Sequence, residues 1–278
     1  MLTSTSAATV PHGRDHAPPL LRAHGITKRF GQVEALVDVD FEIHSGEVVA
    51  LVGDNGAGKS TLIKALSGVQ PADSGEVWID GERVGIRNPQ DAYRLGIATV
   101  YQDLALCDNL DIVANLFLGA ETLSRGPGRV ARVIDEQAME HRTLELLDSL
   151  GVTTVSSVRT AVGSLSGGQR QSVAIARSLL GEPRLVILDE PTAALGVLQT
   201  AQVLALIGRL RDQGLAVIVI SHNLENVYSV ADRIVVLRLG RVEASFDRRS
   251  TPREQVVAAI TGANHEGVPA HGTENVAA

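Results

Sequence analysis

Gly53-Asp54-Asn55-Gly56-Ala57-Gly58-Lys59-Ser60-Thr61 follows the apolar run Val48–Val52 and opens a stretch with helical periodicity from Lys59 to Ser67. It fits G-x-x-x-x-G-K-[ST], in the strand-to-helix setting that this pattern requires. Its glycines let backbone N–H groups curl around phosphate oxygens at the positive end of the new helix. Lys59 would then reach the β and γ phosphates, and Ser60 would ligand Mg2+. A plain glycine-rich turn is the bland alternative, but residue frequencies give this pattern in only roughly one in a hundred chains of this length.

Outward from the loop, apolar strand, turn and amphipathic helix alternate, the signature of a parallel sheet covered by helices. Val48–Val52, Ile97–Tyr101, Leu185–Leu188 and Leu215–Ile220 read as strands. Helices are expected at Lys59–Ser67, Glu136–Leu150, Gln169–Leu180 and Thr200–Gln213, each followed by a glycine suited to a left-handed cap: Gly68, Gly151, Gly181 and Gly214. Upstream, short β-like runs and the hairpin signal Glu76-Val77-Trp78-Ile79 before Asp80-Gly81 predict a small antiparallel layer. Residues 103 to 180 read mostly helical, an inserted subdomain with Ser124-Arg125-Gly126-Pro127-Gly128 as an exposed loop. Residues 1–20 and 263–278 lack periodicity and read as disordered tails around one unit, 21–262.

Three further blocks carry chemistry. Leu185-Val186-Ile187-Leu188-Asp189-Glu190 is a buried-type strand ending in two acids; beside a phosphate loop, Asp189 is placed to hold Mg2+ and Glu190 to polarise an attacking water. The strand Leu215–Ile220 runs into Ser221-His222, and Ile97–Tyr101 into Gln102. Singly, a His or Gln in a turn is usually just solvated, but ligands of open parallel sheets bind outside the carboxyl ends of the strands. Four strands here end in groups able to serve a phosphate. Leu165-Ser166-Gly167-Gly168-Gln169 opens an amphipathic helix and offers a second anion site; its bland reading is a Ser N-cap with flexible glycines.

With 278 residues, 44% of them apolar, the chain can bury a sizeable core. Its formal charge of −7 gives no basic footprint, so no nucleic-acid partner is expected. The single cysteine, Cys107, reads as a small apolar filler and can build neither an internal disulfide nor a zinc cluster. No run reaches the ~18 apolar residues of a spanning helix, and no signal core is seen near the start, so a membrane role is expected only through a partner.

Together these residues resemble the ATP-binding cassette (ABC) family over roughly residues 20 to 262. The resemblance implies an α/β fold with a P-loop NTPase core, a mostly parallel sheet, an N-terminal antiparallel β subdomain and an inserted helical subdomain. It implies ATP and Mg2+ as ligands. ATP would be held by Gly53–Thr61 and Gln102, and Mg2+ by Ser60, Gln102 and Asp189; Glu190, His222 and Lys59 would be catalytic. With one copy of each motif per chain, the signature Leu165–Gln169 would contact the ATP of a second cassette, either a second copy in a homodimer or a paralogue. Phe30, in Lys28-Arg29-Phe30-Gly31, is similar to the aromatic that stacks on adenine; a β-layer core residue is the competing reading.

The stretches Tyr101–Leu104, Asn109-Leu110, Asn115–Gly119 and Pro191–Gly196 look like the ribose, xylose and fructose branch of sugar importers. That branch implies integral-membrane permease subunits, a solute-binding protein reached indirectly, and a peripheral place on the cytoplasmic face of the cell membrane. There are two departures. Many members fuse two cassettes where this chain has one, and Gly196 stands where the family usually has Asp. Rival readings fit less well. A soluble repair, chromosome-organising or translation ATPase would carry zinc cysteines, a long heptad insertion or two cassettes, and a GTPase or small-molecule kinase leaves Leu165–Gln169 unexplained. A regulatory module that binds without turnover has no need of Glu190.

Overall fold

The computed structural model describes residues 18–124 and 133–263. The expected tails lie outside the described residues except for residues 18–20 and 263, as does the loop Ser124–Gly128 beyond its first residue.

Two sheets form the frame. The first is antiparallel, ordered β2(Val33–Ile43), β1(Leu21–Phe30), β4(Ser74–Ile79), β5(Glu82–Val84). Its last two strands are the hairpin expected around Asp80-Gly81. The second contains β3(Val48–Val52), β6(Ile97–Val100), β7(Leu185–Asp189), β8(Ala216–Ile220), β9(Arg233–Arg238) and β10(Arg241–Asp247), in the order β10-β9-β3-β8-β7-β6. All its pairings are parallel except β9 with β10. Every residue of β3 and β8 is buried, which explains why they read as unbroken apolar runs.

Helices cover the parallel sheet: α1(Lys59–Leu66), α2(Pro89–Arg94), α3(Ile112–Phe117), α4(Glu136–Ser149), α5(Gly167–Leu179), α6(Val197–Asp212), α7(Leu224–Val230) and α8(Arg253–Thr261). Period-two alternation divides the strand side chains between two cores. Val48, Ala50, Val186, Leu188, Val217 and Val219 pack with α3 to α8. Val49, Leu51, Leu185, Ile187, Ile218 and Ile220 pack with α1 and the antiparallel sheet.

Several boundaries differ from expectation. Tyr101 and Leu215 fall just outside their strands, while α5 and α6 begin two and three residues before Gln169 and Thr200. Among the described residues, the 103–180 segment has three α-helices, α3 to α5, and a 3-10 turn at Val162–Ser164. Gly68, Gly151 and Gly214 take the left-handed conformation, but Gly181 does not; Glu182 does, with φ 50°. Gly181 answers to crowding instead, since a Cβ there would lie 2.6 Å from the Tyr93 ring.

Candidate nucleotide site at the carboxyl ends of the strands

Register places the four strand ends side by side. Leu51 of β3 pairs with Ile220 of β8, Ile220 with Asp189 of β7, and Leu188 with Val100 of β6. The residues that follow, Gly53, Ser221, Glu190 and Tyr101-Gln102, therefore issue along one edge.

The loop Gly53–Gly58 is shaped by its surroundings. Gly53 has φ 147°, and a Cβ there would sit 2.1 Å from the Leu237 carbonyl; at Gly58, φ 105°, it would sit 2.7 Å from the Ala35 carbonyl. Ala57 is buried and its N–H donates to the Asp54 carbonyl at 3.1 Å, while Asp54, Asn55 and Gly56 face solvent. Lys59 Nζ donates to the carbonyls of Gly53 (2.6 Å) and Asp54 (2.9 Å), leaving one of its three protons free.

Asn88, Asp111, Asp135, Ser166 and Asn223 cap their helices through side chains, but α1 has no side-chain cap and no acid in its first turn. Its positive end, with Ser60 exposed and Thr61 half-buried, is open to an external anion. A phosphate chain fits this cradle.

The acids stand opposite. Partial burial, then the neighbouring Glu190 charge, holds the Asp189 carboxyl above the usual range, against Lys59 and Lys64. Burial likewise lowers Lys59, against the pull of Glu190, Asp54 and Asp189. The Asp189 carboxylate and the Ser60 hydroxyl are of the kind Mg2+ takes, since it binds one or two carboxylates and leaves its other positions to water and substrate phosphates. Among the described residues no group of three or more His, Cys, Asp or Glu forms a complete metal cage. Glu190 is only 16% exposed, has φ 50°, and donates its N–H to the Ile220 carbonyl at 3.0 Å. A bulky residue in the left-handed region is strained, and such strain gathers at working sites. His222, 74% exposed, brings Nδ1 to 2.9 Å from Glu190 Oε1.

Gln102 is exposed in the loop after β6 and lines a cleft of about 470 Å³ together with Glu190, Gly167, Arg170, Gln171 and Ala194. Leu165 is buried, and Ser166 caps α5 reciprocally with Gln169, whose Nε2 also donates to the Thr154 carbonyl at 2.6 Å. Gly168 is pressed against Gln199, where a Cβ would come within 2.9 Å. Leu165, Gly168 and Gln169 thus hold the turn, and Ser166 and Gly167 present it. No hydrogen bond or ion pair joins Leu165–Gln169 to Gly53–Thr61 among the described residues.

Phe30 lies at the tip of the β1–β2 hairpin, 44% exposed, with Lys28 Nζ 5.7 Å from its ring centroid; it is no part of the β-layer core. Two supports escaped the sequence reading. The Gly240 N–H donates to the Ala57 carbonyl at 3.0 Å and its carbonyl accepts from Val37 N at 2.8 Å, tying the phosphate loop to β2. The Leu239-Gly240 turn between apolar runs was the available signal. The second is Asn115, named above only within a stretch that resembles the sugar-importer branch; it is fully buried, which its polar type did not announce.

Known proteins place this geometry. Residues 36–193 match the family model described as ABC transporter. The chain is 46% identical over 246 residues to the fructose import ATP-binding protein FrcA of Rhizobium meliloti, covering 88% of this chain and 95% of that one. It is 42% identical to the xylose/arabinose import ATP-binding protein XylG of Sulfolobus acidocaldarius, over 87% of this chain and 94% of the other. A ribose import ATP-binding protein of Rubrobacter xylanophilus is 41% identical over 90% of this chain, which spans only 53% of it. Among solved structures, a nucleotide-free ATP-binding cassette from an ABC transporter superposes with TM-score 0.73 at 25% identity, covering 88% of this chain and 96% of that one. A dimeric post-hydrolysis cassette bound to ADP and Pi gives 0.67 at 26% identity, over 83% and 100%. The chain belongs to the ABC transporter family, as one of its ATP-hydrolysing cassettes.

Proposed function

We propose that this cassette powers import of a sugar, most simply a monosaccharide, through a membrane permease. The observation that carries this reading is the near end-to-end match to two single-cassette import proteins, for fructose and for xylose/arabinose. Having one cassette is thus compatible with that branch. Among the described residues no helix is long and apolar enough to cross a membrane, so passage would belong to integral-membrane partners, with this chain peripheral on the cytoplasmic face and a solute-binding protein supplying substrate.

In the reaction, the phosphate loop and Lys59 hold the β and γ phosphates while Phe30 stacks on adenine. Glu190 takes a proton from the water whose oxygen attacks the γ phosphorus, and the bond to ADP breaks. His222 keeps the Glu190 carboxylate oriented. Ser60 and Asp189, joined by Gln102, would hold Mg2+, which neutralises phosphate charge when bound. Ser166 and Gly167 would close on the γ phosphate of a second copy. ATP then favours the closed pair, and hydrolysis removes that preference.

Co-purification from membranes with Glu190→Gln and ATP, followed by mass spectrometry, tests the assignment. A multi-spanning permease together with a sugar-binding protein is the expected result. Recovery with ribosomes, DNA or no membrane protein would overturn transport, and a permease serving another solute class would overturn sugar.

A further inference from the structure

Asn115 is a buried polar side chain outside the site with both its oxygen and its nitrogen hydrogen-bonded. It is 0% exposed on α3, and all its hydrogen bonds beyond the helix go to one loop. Its Oδ1 accepts from Cys107 N at 2.7 Å, and Nδ2 donates to the carbonyls of Cys107, Leu110 and Asp111 at 3.0, 3.2 and 3.0 Å. A carboxamide alone among side chains of this size offers one acceptor and two protons in that arrangement.

The loop it grips is the one that leaves β6 at Gln102. Its far end is also bonded to the approach to the signature. Val162 N donates to the Leu110 carbonyl and Gly163 N to the Asp108 carbonyl, both at 2.9 Å, and Asp111 bridges Ala161. From α5 itself, Arg177 Nη1 donates to the Ala105 carbonyl at 2.9 Å. The segment from Ala105 to Asp111 is therefore attached to α3, to α5 and to the turn that leads into Ser166, while its amino end carries Gln102 into the cleft beside Glu190.

We propose that Asn115 is a positioning residue for hydrolysis: it locks Cys107–Asp111 so that Gln102 and the Leu165–Gln169 turn move as one body. This rests on the reading of Gln102 and the signature as nucleotide contacts. A grip on γ phosphate at Gln102 then sets the signature for the partner's ATP, without a wire of side chains crossing the sheet.

The test uses the full chain. Asn115→Asp keeps the shape and loses both Nδ2 protons; Arg177→Ala removes a clip at the surface and carries the same comparison should the buried change prevent folding. In the Glu190→Gln background, hydrogen exchange with ATP and Mg2+ is expected to slow in Gly53–Thr61 for every variant. Slowing at residues 162–168 is expected in the parent and is lost in Asn115→Asp, in Arg177→Ala and in Gln102→Ala. With Glu190 intact, Asn115→Asp lowers kcat about tenfold, the effect of one lost coupled contact, with the ATP KM unchanged, and adds nothing to Gln102→Ala. Losses that multiply with Gln102→Ala, or protection at 162–168 that survives in the variants, would overturn the lock alone. A parent in which ATP protects neither segment would overturn the nucleotide reading beneath it.

Discussion

On the proposed reading Glu190 serves the chemical step and Phe30 serves binding alone. Phe30 lies exposed on a hairpin tip, and a ring that stacks on adenine would contribute to ATP binding equally in the ground and transition states. Phe30→Ala is therefore expected to raise the ATP KM about tenfold, within the ~1–3 kcal/mol of one base–aromatic stack, and to leave kcat unchanged. A fall in kcat at constant KM would show that the ring does something else. Gly53 answers to packing behind the loop, where the Leu237 carbonyl leaves no room for a Cβ. Gly53→Ala should lower stability by more than about 1 kcal/mol and weaken nucleotide binding, both readable by thermal unfolding with and without ATP. At this scale most of the candidate site was legible, because the glycines, Lys59, Asp189 and Glu190 lie in contiguous strings whose order suggests their chemistry. What was illegible was relational. The His222–Glu190 approach, the exposure of Phe30 and the spending of Gln169 on the α5 cap depend on partners distant in sequence or on burial.

Elements carry the next level. The parallel strands were readable because they are buried on both faces and so appear as unbroken apolar runs. β9 and β10 were missed: Arg233 and Arg238 bracket a short run, and β10 is only half-buried. Arg233 is itself a buried cation. Its guanidinium meets the Glu47 carboxylate, Nε to Oε1 at 2.8 Å, and donates to the Glu42 carbonyl at 2.6 Å, joining β9 to the turn before β3. Burial pushes Glu47 up, but the hydrogen bond and charge of Arg233, aided by His44, bring it below the ordinary 4.5. Its ionisation therefore stabilises the fold above that value, and the contribution is lost as pH falls through the lower folded pKa. Arg233→Met should destabilise by about 3 kcal/mol at neutral pH, because Glu47 is left charged and buried. The deficit should narrow as pH falls below 4.5, where Glu47 is neutral in the variant; denaturant titrations across pH would show it, and a constant deficit would contradict the pairing.

At the scale of the molecule, the order β10-β9-β3-β8-β7-β6 gathers four distant sequence segments at one edge, and the helices of the 103–180 segment carry the signature beside them. Strand order could not be read from sequence, since nothing local says that β3 lies between β8 and β9; only the polar ends of the runs hinted that they converge. If the signature serves a second copy, ATP turnover per chain should rise with protein concentration and level off once pairs form. A rate per chain independent of concentration across the pairing range would contradict that arrangement. The most direct measurement is phosphate release by Glu190→Gln beside the unaltered chain, with ATP binding measured on both. The account predicts retained binding and a rate lower by about a hundredfold or more, the range for removal of a general base. Phosphate release at the unaltered rate, with ATP still bound, would contradict it.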